Sequence, residues 1–347
     1  MTGVSVLGPW PDGDHHEAQA TAIGALSDLP DGLTGMPPLV HPSDPGPWSG
    51  PLARGVDLLT DMPAEVGPHG WKLADRPGRD LERVRAGARQ AMDVLAVAAY
   101  GYEGPLVLAV PGPWTLASTL YLARGDRVLS DPGAVRDLVA ALGEGLGSLM
   151  ASVAGAVPGA RPVVVLHEPR LGAVLDGAVP DFSGHGRIWS VTGERAGAGL
   201  SSVVATARTA GAQGVVIHVG GQAHAGAMGV AGAVGPDGLG VGAAQLGSAH
   251  WERLAGLVEQ GVGLWLGLPS QDETADSVAA ARRIWGPWTA VGLPPAGLST
   301  VVVHADLARG GEVGRTPARP RDLAGVRALI RDTATVAVRL AERAAGS

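Results

Sequence analysis

The feature that most constrains this chain is a recurrence: short, apolar, β-branched runs alternate with longer stretches of helical periodicity along its whole length. The runs are VSVLG (4–8), LVLAV (106–110), PVVVL (162–166), GVVIH (214–218), LGVGA (239–243), GLWLGL (263–268) and TVVVH (300–304), with an eighth expected within AEVGPHGW (64–71). They lack apolar/polar alternation, as strands covered on both faces do. Helical spacing falls between them, at about 79–101, 133–156, 195–211, 248–260, 272–285 and 322–345. At 131–155, for example, Asp131 caps, Pro132 suits the first turn, and Val135, Leu138, Val139 and Leu142 share a face. Strands and helices in this order make βα units around a parallel sheet. Eight units predict an α/β fold, a (β/α)8 TIM barrel occupying residues 1–347 as one domain. The Pro/Gly-rich stretch at about 27–55 reads as a long loop or lid after the first unit.

Composition narrows the function. The 347 residues suffice for a large core, and 46% hydrophobic with 17% charged residues is a globular balance. A net charge of -7 and the lack of a basic stripe speak against a nucleic-acid partner. The start, MTGVSVLGPWPDG, lacks the pattern of a secretory leader, and no apolar run reads as long enough to span a bilayer. The expectations are therefore a cytoplasmic location, no membrane partner and a small-molecule substrate, with the oligomeric state open. The chain has no cysteine, hence no disulfide and no thiolate ligand. With 54 glycines, GVGAAQLG (240–247) is weak evidence for a phosphate loop.

In such a barrel the functional face lies at the carboxyl ends of the strands, and polar residues gather there. Trp10, Asp12, His15, His16 and Glu17 follow the first run, His69 and Trp71 lie near the second, and Trp114 and Thr115 follow the third. His167, Glu168 and Arg170 follow the fourth; His218, Gln222 and His224 end or follow the fifth. Ser270, Gln271, Asp272 and Glu273 come after the seventh, and His304 and Asp306 at the eighth. Imidazoles that titrate near neutrality beside carboxylates suit general acid–base work. His167, Glu168, His218, His304 and Asp306 are thus the catalytic candidates. Trp10, His15, His16, Trp71, Trp114 and Gln222 are the substrate-binding candidates, the tryptophans as apolar walls. Structural readings stand beside these: a strand-end His held by a hydrogen bond, Glu168 at a helix amino terminus, Trp10 and Trp114 packing the top of the core.

The order LGPWP (7–11), GPWTLA (112–117), HEP (167–169), His218 and DLA (306–308) resembles the carboxy-terminal barrel of cobalamin-independent methionine synthase. It looks closest to short, single-barrel actinobacterial homologues, and GWKLADRPGRDLERVR (70–85) and DPGAVRDLVAALGEGL (131–146) look like that subgroup too. The resemblance covers nearly the whole chain and implies the architecture also found in uroporphyrinogen decarboxylases. It implies a reaction that moves a methyl group from a folate to a thiol activated as a zinc thiolate. Of the implied zinc ligands only His218 is matched; Gly220, approximately Gly242, and Ala305 stand at the others. The family's Asp-Glu-Pro is His167-Glu168-Pro169, and Pro9 replaces a Ser, both at amino-acid-binding positions. One ligand does not hold zinc. The resemblance therefore implies a repurposed barrel enzyme without metal, performing acid–base group transfer or lyase chemistry on a small molecule. Three alternatives remain: a rebuilt metal site of His218, His304 and Asp306 or Glu168; zinc-independent methyl transfer with folate or another donor; and a non-catalytic binding or scaffold descendant.

Overall fold

A computed structural model describes residues 1–11, 13–41, 46–268, 276–307 and 322–346. Asp12, Ser270, Gln271, Asp272 and Glu273 lie outside the described residues. The strands are β1 Thr2–Leu7, β2 Leu33–Met36, β3 Ala64–Gly67, β4 Gly70–Leu73, β5 Gly104–Pro111, β6 Ala160–His167, β7 Gly214–His218, β8 Gly238–Gly242, β9 Gly263–Leu268 and β10 Val302–Asp306. Eight of them form one parallel sheet in the order β2-β1-β10-β9-β8-β7-β6-β5. Its two ends meet just beyond β2, where the Val107 N–H donates to the Pro37 carbonyl (2.8 Å) and the Leu39 N–H to the Val107 carbonyl (2.9 Å). The fold is a (β/α)8 barrel.

Two expectations are corrected. The stretch 27–55 is not simply a loop: it contains β2, a barrel strand of four residues, followed by Pro37 and Pro38. Prolines are tolerated there because closure draws on the Pro37 carbonyl rather than on a proline N–H. The segment 64–71, expected as the eighth barrel strand, belongs instead to an antiparallel hairpin of β3 and β4. Its Gly67-Pro68-His69-Gly70 turn, with Gly70 at φ 120, reverses the chain before a barrel strand can form. The helix His15–Ser27, capped by the Asp14 carboxylate, is a further element that the apolar spacing did not reveal.

Alternate strand residues face the barrel interior. Leu7, Val107, Val163, Val165, Val216 and Trp265 form that inner cluster, apart from the larger cluster between sheet and helices. The helix Pro132–Ala156 is long and apolar enough by composition to cross a membrane, contrary to the sequence expectation. Here it packs against the helices Arg79–Ala98 and Gly193–Thr209, with Leu138, Leu142 and Leu146 buried, so its apolar face serves the outer layer of the barrel.

Candidate active site

Two residues on from Val165 and Val216, the inward parity reaches His167 and His218, which are direct neighbours in the β6–β7 register. Two on from Val302, which packs on the inner cluster, it reaches His304. The three rings therefore converge at the carboxyl end of the barrel, with centroids 5.1 Å apart for His167 and His218 and 5.0 Å for His218 and His304. Glycines make the space. A Cβ at Gly240 would lie 2.3 Å from the His218 ring, and one at Gly267 2.9 Å from the His304 ring. Gly240, within the glycine-rich 240–247, is thus held to glycine by ring packing.

The hydrogen bonds fix the direction of the couple. The Gly220 N–H donates to His218 Nδ1 (3.1 Å), so a neutral His218 carries its proton on Nε2. That proton points at His304 Nε2, 3.0 Å away, which leaves the His304 proton on Nδ1. His304 Nδ1 is buried and has no hydrogen-bond partner among the described residues. Burial pushes His218 down to about 4. Burial also holds His167 and His304 well below the usual imidazole range, helped in both by the neighbouring His218. All three rings are neutral at pH 7. His167 is the partly exposed one, and no described residue forms a hydrogen bond with its ring.

Glu168 is brought to the same rim but does not face the mouth. Since His167 points inward, the next side chain points outward, to the amino terminus of the helix Pro113–Ala117. Its Oε1 accepts from the Trp114 N–H (2.8 Å), and its Oε2 from the Thr115 N–H (2.7 Å) and hydroxyl (2.6 Å). Burial pushes its pKa up to about 7 against the pull of these donors. Asp306 ends β10 opposite Leu7, on the same strand face as His304 and partly exposed.

The substrate-binding candidates are more scattered. Trp10 is buried in the outer core. Trp114 is 1% exposed, and its indole N–H donates to the Ala196 carbonyl (2.9 Å), so it ties two helices together and lines no wall of the mouth. Trp71, in β4, donates to the Pro47 carbonyl (3.0 Å). His15 is buried, with Nε2 on the Val40 carbonyl (2.9 Å) and its pKa lowered by burial. His16 and Gln222 are solvent-exposed. His224 caps the helix Ala225–Ala233 through Nδ1 and meets Asp176 through Nε2 (2.9 Å).

Sequence reasoning missed two residues at the rim, Arg54 and His41. Both lie on segments outside the eight expected strand ends, so nothing in the periodicity marked them. Arg54 is on the helix Pro51–Asp57, and its charge acts on both His41 and His167. Its Nε is buried without a hydrogen-bond partner among the described residues, and burial lowers its pKa to about 10. His41 is held well below the usual range, by burial first and then by Arg54 and His15. Among the described residues no three His, Asp or Glu side chains form a group able to hold a metal ion. The rebuilt set is undone for Glu168 in particular, because both its oxygens are engaged elsewhere.

No family model and no curated protein matches this sequence. Among solved structures, the chain is similar to a B12-independent methionine synthase from Shewanella sp. W3-18-1 in complex with selenomethionine. That likeness has 10% identity and a TM-score of 0.56, and covers 99% of each chain. A tryptophan synthase from M. tuberculosis also matches, at 13% identity over 96% of this chain and 91% of that one, with a TM-score of 0.38. The first likeness establishes a methionine-synthase-like barrel fold.

Proposed function

We propose that the barrel mouth is an active site for metal-independent acid–base chemistry, group transfer or a lyase reaction, on a small molecule. His167 is the base presented to substrate, and the His218–His304 couple behind it fixes the ring environment. The observation that carries this reading is the His218 Nε2 to His304 Nε2 contact at 3.0 Å, with its direction set by the Gly220 N–H. Burying His218 and His304 and half-burying His167 costs stability, and a descendant selected only for its scaffold has no use for that cost.

The zinc implied by the family resemblance does not fit these residues. A metal-binding imidazole offers a bare nitrogen to the metal and an N–H to an acceptor; His218 has the reverse polarity, with Nδ1 accepting from Gly220. Gly220, Gly242 and Ala305 bring no donor side chain, and a Cβ at Gly242 would lie 2.9 Å from the Gly221 backbone.

The test is turnover of small-molecule mixtures, read as mass changes, by wild-type protein and His167→Asn. A conversion that survives chelator and falls about 100-fold or more in the variant supports the reading. Activity that follows added zinc, or wild-type and variant proteins that are equally inert, overturns it. Folate binding with methyl transfer in the same assay would favour the zinc-independent methyltransferase.

A further inference from the structure

Arg54 lies over the end of β5, where the helix Pro51–Asp57 presses on the barrel: a Cβ on its neighbour Gly55 would be 2.6 Å from the Pro111 ring. With His41, Trp48, Asp57, Arg83 and Val110 it lines a cavity of about 340 Å³ on the helix-covered side of β5, walled largely by the helix Arg79–Ala98 and not by His167, His218 or His304. The cavity's charged side chains are two arginines and one aspartate. Asp57 does not answer Arg54; the cations acting on it are Arg85 and Arg89. Arg83 stacks on Trp48, 4.1 Å from the ring centroid. Arg54 is half-buried with its Nε enclosed and unpartnered, which is unfavourable for a guanidinium, and no carboxylate of a described residue pairs with it.

We propose that Arg54 binds a carboxylate group of a small molecule in this cavity, with the His41 ring beside it as a neutral N–H donor. It stands independently of the mouth being an active site. A guanidinium presents a planar fork that meets a carboxylate in two parallel hydrogen bonds. Because His41 and His167 are neutral at pH 7, the charges lining the cavity are Arg54, Arg83 and Asp57, a net single positive charge. A monoanion neutralises it, whereas a phosphate dianion leaves buried negative charge over. The cavity volume is that of a small-molecule site.

The experiment is thermal unfolding at matched ionic strength with propionate, propionamide or inorganic phosphate. Wild-type protein is expected to gain about 2 °C or more, saturably, with propionate. It should gain less with phosphate and nothing with propionamide. In Arg54→Met the ligand-free midpoint rises, because an enclosed, unpaired guanidinium nitrogen is gone, and the propionate shift disappears. Arg54→Lys keeps a reduced shift, because it retains charge without the fork. A lower midpoint in Arg54→Met, a propionate shift that survives it, or a larger shift with phosphate or propionamide overturns the proposal. His167→Asn keeps the propionate shift, so binding is read separately from turnover: loss of activity there with the shift intact supports both readings, and a wild-type shift without any turnover supports the anion site alone.

Discussion

Glu168 and Arg54 are ionisable side chains drawn into the same rim of the barrel, yet their surroundings treat them in opposite ways. Glu168 accepts three hydrogen bonds, from two backbone N–H groups and a hydroxyl, at the amino end of a helix. Arg54 has an orphaned Nε and two neutral imidazoles for neighbours. A buried carboxylate with a full set of partners is held in place by them; an enclosed guanidinium nitrogen without one is where we propose a ligand binds. The carboxylate counted among the catalytic candidates is the one with a full set of partners. The guanidinium that sequence reasoning passed over is the open group.

The largest effect that would test this contrast is Glu168→Ala. It strands the Trp114 and Thr115 N–H groups and the Thr115 hydroxyl in a dry site, and should cost about 3–5 kcal/mol in chemical denaturation. A loss below about 1 kcal/mol would end the view of Glu168 as held in place by its partners. Its sign is opposite to that expected for Arg54→Met.

Acid sharpens the comparison by a similar amount. His218 is lowered from 6.5 to about 4, so the unfolded chain takes up a proton first as pH falls. Its contribution, about 3 kcal/mol, is present above 6.5 and is lost between 6.5 and 4. His15, His41, His167 and His304 act in the same direction. Glu168, raised from 4.5 to about 7, acts the other way: its contribution is present below 4.5 and is lost as pH rises through 7. The histidines prevail, so stability should peak near pH 6.5 and fall steeply below it. Denaturation midpoints that stay level from pH 6.5 to 4.5 would contradict buried neutral imidazoles.

The smallest effect is Thr115→Val, which removes one of the three donors and leaves the backbone pair in place. It should cost about 1–2 kcal/mol by denaturation, with the propionate response of Arg54 unchanged. A change in that response would mean that the two groups are coupled.

Much of this molecule was legible in the sequence. Seven barrel strands announced themselves as β-branched runs, because a parallel strand covered on both faces must be apolar throughout. His167, His218 and His304 were found for the same reason: a polar side chain ending such a run lies at the rim. The fourth member of that set, Glu168, was misdirected, although the alternation that turns His167 inward turns its neighbour outward. Trp71 and Trp114 were read as walls of the mouth because an aromatic ring is equally at home in a core, and only their bonds to Pro47 and Ala196 show which core.

The period of the apolar runs determined by itself that this chain forms a barrel with imidazoles at one end, since periodicity is a local property carried by neighbouring residues. Closure was decided elsewhere, by Pro37 and Leu39 meeting Val107 across about seventy residues of chain. So was the fate of each buried charge. The glycine N–H that orients the His218–His304 couple, the helix that receives Glu168 and the cavity left open beside Arg54 are all set by which segments come together. Hydrogen bonds depend on where a partner atom sits in space, and residue order along one strand does not specify that position.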